Sequence, residues 1–198
     1  MSEIRSTMDL VMERAARMGK ASSAELQDEE RRRLGMQRAA AFLDDKLQDL
    51  GAELAALDQA QQPAVRQGMI EALLRNIMLA REEGQQHKSE QALQALNQLG
   101  GNAGDLKSIG KEMLHIVGQY AKHREQLRRQ LEDAIKMQME QVLARQPGLA
   151  GSKLKLDPTL QPKFKEEWSR IEAELGEQYG RALDQHKELL RQRLLGLR

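Results

Sequence analysis

The chain has 198 residues, a formal net charge of +1 and no cysteine. That excludes a disulfide framework, a thiolate nucleophile and a cysteine zinc site, and it leaves no global field to steer the chain onto nucleic acid or an anionic membrane. Hydrophobic residues make up 40%, aromatics 3% and charged residues 31%, a balance that favours long helices with thin seams over a thick core or a sheet.

The N-terminus, Met1-Ser2-Glu3-Ile4-Arg5, has no basic stretch followed by an apolar one. No run approaches the ~20 apolar residues that cross a bilayer. A cytoplasmic protein with no membrane association is expected. Ser6 and Asp9 have the spacing of a capping box, and Met8, Val11, Met12 and Ala15 share one face of the helix it opens. Residues 1–21 therefore read as a short N-terminal helix and a linker through Gly19-Lys20-Ala21. The remainder, 22–198, reads as a single long-helix bundle.

Ser22 and Glu25 form a second capping box and open a helix over 24–61. Its seam is Met36, Ala40, Leu43, Leu47, Leu50, Leu54 and Leu57, in alternating steps of four and three, which is a coiled-coil pattern. The charged run Asp28 to Arg33 before it is expected to be a solvated surface. Pro63 suits a first helical turn, so the next helix is placed at 63–99. Ile70, Leu73, Leu74 and Ile77 carry its stripe, which degrades near 84–89, where a break is possible. Gly100-Gly101 stops the helix.

Asp105 opens the longest segment, 105–146, a rod of roughly 60 Å. Leu106, Ile109, Met113, Val117, Tyr120, Leu127, Leu131 and Ile135 fall in one narrow sector. Ile109, Tyr120, Leu131 and Val142 repeat every eleven residues, the period of a nearly straight helix. Pro147-Gly148 ends it. Asp157-Pro158 suits a single turn, and Pro162 leads into a last helix over 163–195. Phe164, Trp168, Ile171, Leu175, Tyr179, Ala182, His186 and Leu190 line one side of that helix, with a local aromatic cluster expected near Phe164 and Trp168. The fold class is all-α: an elongated antiparallel bundle, or coiled-coil-like hairpins, of about four long helices plus the short N-terminal one. Interior glycines (Gly51, Gly68, Gly110, Gly118, Gly176 and Gly180) and narrow seams favour self-association, most simply as a dimer.

The same residues offer little chemistry. Glu112-Met113-Leu114-His115 has the spacing of one half of a di-metal carboxylate site. No second copy exists, and His115 falls on the polar face. His87 and His123 lack a carboxylate at that spacing, and a lone His186 reads as a packed seam residue. There is no phosphate-binding loop and no nucleophile elbow. Adjacent carboxylates such as Asp44-Asp45 or Glu166-Glu167 diverge by about 100° around a helix. No catalytic, cofactor-binding or metal-binding residue is assigned, no cofactor is expected, and narrow seams are expected to leave no cleft. The ten methionines read mainly as packing, with Met113, Met137 and Met139 in the core or seam. The expected function is a non-enzymatic interaction, scaffold or adaptor protein, chaperone-like in composition, acting on a protein partner as a homo-oligomer. The alternative is weak association with nucleic acid through the basic 153–165 region (Lys153, Lys155, Lys163 and Lys165).

Overall fold

The structure is a computed structural model and describes residues 7–80, 83–145 and 157–196. It is all-α. The helices are α1 (Thr7–Leu43), α2 (Leu50–Ala55), α3 (Gln62–Asn76), α4 (Glu83–Leu99), α5 (Gly104–Ala144) and α6 (Pro162–Leu195), with a 3₁₀ turn at Pro158–Leu160. No strand occurs among the described residues. The expected capping residue Ser6 lies outside them.

Three helix boundaries differ from the sequence reading, each for a local reason. The N-terminal helix does not end in a linker, because α1 runs unbroken through residues 19–23. One glycine costs a helix only about 1 kcal/mol and serines less, which the strong helix formers on either side offset. The capping pattern at Ser22 and Glu25 starts nothing, since the chain is already helical there.

The expected helix over 24–61 is two helices. α1 stops at Leu43 in a left-handed C-cap. Asp45 takes φ 58, the Lys46 N–H donates to Ala41 O at 2.9 Å, and the Asp45 N–H donates to Phe42 O at 3.0 Å. Aspartate tolerates this conformation better than most non-glycine residues. Gln91 Nε2 donates to the Asp45 carboxylate at 3.1 Å. Asp49 then caps α2, accepting from the N–H groups of Gly51 and Ala52 at 2.8 and 3.0 Å. Two aspartates thus end one helix and begin the next.

The third concerns the stretch near 84–89, where the sequence leaves a break or a solvent-exposed turn open. That stretch lies inside α4, and the irregular backbone comes earlier, at residues 77–80. Ile77 and Ala80 are buried there. Ser89, fully buried, accepts a hydrogen bond from Met78 N–H at 3.4 Å and donates one to Gln85 O at 3.1 Å. A buried hydroxyl satisfied on both sides pins the connection to the first turns of α4.

The described chain divides into two compact units. Of the described residues, the first holds 7–76, 91–103 and 191–196, and the second 77–80, 83–90, 104–145 and 157–190. Two of the boundaries fall inside α4 and α6, the others at the end of α3 and the start of α5.

In the first unit, α1 and α3 cross antiparallel with their backbones in contact. A Cβ built on Gly35 would lie 2.0 Å from Val65 O, and one on Gly68 would lie 2.0 Å from Arg32 O. Only glycine admits that approach. It also moves the seam. The buried line on α1 is Gly35, Ala39 and Leu43. Of the expected seam, Ala40 is exposed, and Met36, Leu47, Leu54 and Leu57 are only half-buried. Val65, Met69, Ile70 and Leu73 of α3 are fully buried. Gly68, expected to serve self-association, is therefore used within the chain. Gly118, Gly176 and Gly180 face open space.

Arg66 joins three helices of this unit. Its guanidinium donates to the carbonyl oxygens of Leu194, at the end of α6, and of Leu99, at the end of α4, the second at 3.2 Å. Helix C-termini present unpaired carbonyls and partial negative charge, so a cation placed there is held by both. Burial lowers its pKa from the ordinary arginine value, yet a guanidinium stays charged at any physiological pH.

These contacts set the expected effects of substitution. Gly35→Ala or Gly68→Ala forces the helices apart and lowers stability by about 2–3 kcal/mol. Gly118→Ala, in open helical space, raises it by about 0.5–1 kcal/mol. Urea denaturation followed by circular dichroism measures both, and the opposite signs are the check. Arg66→Met leaves two carbonyls without their donor and costs about 1.5–3 kcal/mol. In the same assay Arg66→Lys recovers part of the loss, because an ammonium lacks the planar fork.

Candidate interaction surface

The second unit is built on the antiparallel pairing of α5 with α6, and polar contacts mark its register. Glu112 Oε2 lies 3.0 Å from His186 Nε2. Tyr120, 2% exposed, meets Tyr179 edge-on, with ring centroids 5.7 Å apart. The Tyr179 hydroxyl lies 2.8 Å from His123 Nδ1. Arg124 Nε donates to Glu172 Oε1 at 2.8 Å, and its guanidinium sits 5.5 Å from the Trp168 ring centroid. Lys163 Nζ donates to Gln138 Oε1 at 2.9 Å. Numbers rise along α5 as they fall along α6. Met113, Val117 and Ile135 on α5 are buried, as are Phe164, Leu175 and Leu183 on α6.

The aromatic pair lies within this seam, between Tyr120 and Tyr179, rather than at the first turns of α6. Phe164 is buried in the core, while Trp168 is half-buried and carries a cation on its face. Such a contact contributes about 0.5–1 kcal/mol where water reaches it.

Beyond Ile135 the helix no longer hides its apolar side. Met137 is 60% exposed and Val142 58%. Met137 therefore lies outside the core where it was expected, and Val142 leaves the stripe that its eleven-residue spacing implied. An open groove of about 380 Å³ runs here, lined by Ile135, Gln138, Met139, Val142, Leu143, Gln161 and Lys163. Leu160, at the end of the 3₁₀ turn, is 68% exposed. The expectation of no cleft is thus corrected. The heptad and eleven-residue patterns report which residues share a side of a helix, not whether a neighbouring helix reaches all of that side.

The groove's walls are thioether and aliphatic, with one amide pair and one ammonium. They suit an apolar side chain from a partner and present no paired acid and base. A second exposed apolar stripe lies on α1, where Met8, Val11 and Met12 are 63–70% exposed at helical spacing.

The histidines, carboxylates and basic runs with candidate chemistry are dispersed. His87 and His115 are exposed. Glu112 pairs with His186 across the seam instead of with His115. Among the described residues, no three His, Asp or Glu side chains are grouped as metal ligands. Of the basic 153–165 region, Lys153 and Lys155 lie outside the described residues, Lys163 is bonded to Gln138, and Lys165 is exposed. In the basic triplet Arg31-Arg32-Arg33, Arg31 pairs with Asp28 at 3.0 Å and Arg32 with Glu29 at 3.8 Å. No helix of the described residues is long and apolar enough to cross a membrane.

A family model described as a family of unknown function, DUF6657, matches residues 51–192. The chain belongs to that family. The DUF6657 span begins in α2 and ends in α6, so it holds Gly68, Arg66, the α5–α6 seam and the groove. Gly35, on α1, lies outside it. No curated protein and no solved structure matches the chain.

The 3₁₀ turn beside the groove is held by Asp157. Its Oδ1 accepts from the Thr159 hydroxyl at 2.6 Å and from the Thr159 N–H at 2.9 Å. The hydroxyl first, and then the backbone N–H, hold the carboxyl below its ordinary pKa. A depressed carboxylate contributes stability that is present above its unfolded value and is lost as pH falls through the folded one. Asp157→Asn should therefore be less stable than the wild type above about pH 5, and the difference should shrink below about pH 4. Thermal midpoints taken from pH 2.5 to 7 check this.

Proposed function

We propose that this chain is a non-enzymatic interaction protein, a scaffold or adaptor of the cytoplasm that presents apolar helix faces to a protein partner and self-associates as a dimer. The observation that carries this reading is the apolar groove at the end of α5, lined by Ile135, Met139, Val142 and Leu143, of which Val142 is 58% exposed. Large apolar side chains gathered around a concavity and left in water favour a partner that covers them. The exposed stripe of Met8, Val11 and Met12 on α1 adds a second such face. Methionine adapts its shape to whatever it meets, which suits contact with more than one sequence.

Nucleic acid is the weaker reading. Lys163 is engaged with Gln138, and the two arginines of the α1 triplet that are paired have acidic residues of the same helix as partners. A basic footprint needs cations left available to phosphate.

Light scattering on the purified chain, across about 5 to 200 μM protein, tests the proposal. The expected result is a mass that rises to that of a dimer, with Val142→Glu shifting the midpoint to at least tenfold higher concentration while helicity is unchanged. A monomer throughout the range would remove the self-association. Retention of a single-stranded oligonucleotide at about 150 mM salt, lost in Lys163→Glu with Lys165→Glu, would favour the alternative.

A further inference from the structure

The α5–α6 seam holds two histidines, and what each ring nitrogen meets sets them apart. His186 is half-buried on α6. Its Nδ1 lies 2.8 Å from Ala182 O, and its Nε2 lies 3.0 Å from Glu112 Oε2 on α5. A carbonyl oxygen only accepts, so Nδ1 carries a hydrogen. In a neutral imidazole that leaves Nε2 as a lone pair facing a carboxylate, and two acceptors at 3.0 Å repel. The contact becomes a hydrogen bond only when one further proton lies between Nε2 and Oε2.

His123 differs. Its Nδ1 meets the Tyr179 hydroxyl at 2.8 Å, and a hydroxyl both donates and accepts. That contact survives in either protonation state.

We propose that His186 and Glu112 form a proton-dependent clasp between α5 and α6. It is closed while the shared proton is held and opens as rising pH removes it. The His186 side chain is 24% exposed and that of Glu112 is 62% exposed, so the carboxylate reaches the ring from the solvent side. Of the other charged groups nearby in sequence, Asp184 and Lys187 on α6 pair with each other at 3.6 Å. On α5, Lys111 and His115 flank Glu112 and are exposed. Glu188, further along α6, is exposed, and Glu112 places a carboxylate oxygen 3.0 Å from the ring. The contact is a hydrogen bond where the proton is held and a repulsion between two acceptors where it is not, so the stability it contributes depends on that proton. Protonation thereby adjusts how firmly the two long helices are fastened at this level of the seam.

The test compares the thermal midpoint of the full chain with that of Glu112→Gln from pH 5.5 to 8.5. A glutamine amide accepts from a cationic ring and donates to a neutral one, so the variant keeps a contact throughout and loses the proton dependence. Titrating groups common to both proteins cancel in the difference. The midpoint of the wild type minus that of the variant is expected to fall by about 1–3 °C between the two pH values. With His186→Gln as the background, the same Glu112 substitution should give a flat difference. A flat difference in the native background would overturn the clasp. Nitrogen NMR on the unaltered chain gives an independent reading: at pH 5.5 both His186 nitrogens should carry hydrogens, and a bare Nδ1 there would also overturn it.

Discussion

The crossing of α1 and α3 is the constraint on which the first unit depends. Two glycines, Gly35 and Gly68, bring two helical backbones to within contact distance. At that separation, carbonyl oxygens of one helix meet Cα hydrogens of the other, and weak C–H···O contacts join the dispersion energy of a close-packed seam. The approach draws Val65, Met69, Ile70 and Leu73 fully out of water. It also sets where α1 must stop, because α2 and the turn before α3 have to return the chain to the crossing. Asp45 and Asp49 make that turn-around possible. Arg66, one turn of helix or less from Gly68, then ties the ends of α4 and α6 to the same helix.

The second unit is held differently. Its seam has buried apolar residues, from Met113 and Leu183 to Ile135 and Phe164, and bridging side chains along its length: an acid–histidine pair, a tyrosine–histidine pair, and an arginine shared by a carboxylate and an indole. Pairs of this kind contribute little stability each when water reaches them. They do specify register, since a slip of one helix along the other separates every pair together. Toward the far end of α5 the seam opens into an apolar groove. Membership of DUF6657 covers this unit and, of the first, residues 51–76, 91–103 and 191–192, so the groove, the seam and Arg66 itself fall inside the matched region.

Much of the fold is legible in the residues. The glycines and asparagine after Leu99, the proline before Lys163 and the apolar sector of α5 place α5 and α6 to within one or two residues, because those signals act locally. The break after Leu43 is hard to read although its chemistry is present. An aspartate in a left-handed cap is a rarer helix stop than glycine, and the run of leucines through Leu47, Leu50 and Leu54 continues the coiled-coil spacing across it. Gly35 gives no sign of its role, because a glycine inside a helical pattern looks like a weak helix position until another backbone is seen against it. The groove is hidden for the opposite reason: Met137 and Val142 are hydrophobic and fit a core or seam, whereas the neighbouring helix leaves them exposed.

What the amino-acid order determined alone is the all-α class, the amphipathic faces and most helix ends, since these depend on backbone hydrogen bonding and side-chain periodicity within a few residues. What only the tertiary structure decided is which faces meet. Gly35 against Val65, Gly68 against Arg32, Arg66 against two helix ends, Glu112 against His186, and the groove between the end of α5 and the start of α6 all bring together residues far apart in the chain. Those pairings depend on distances in space that periodicity along one helix does not encode.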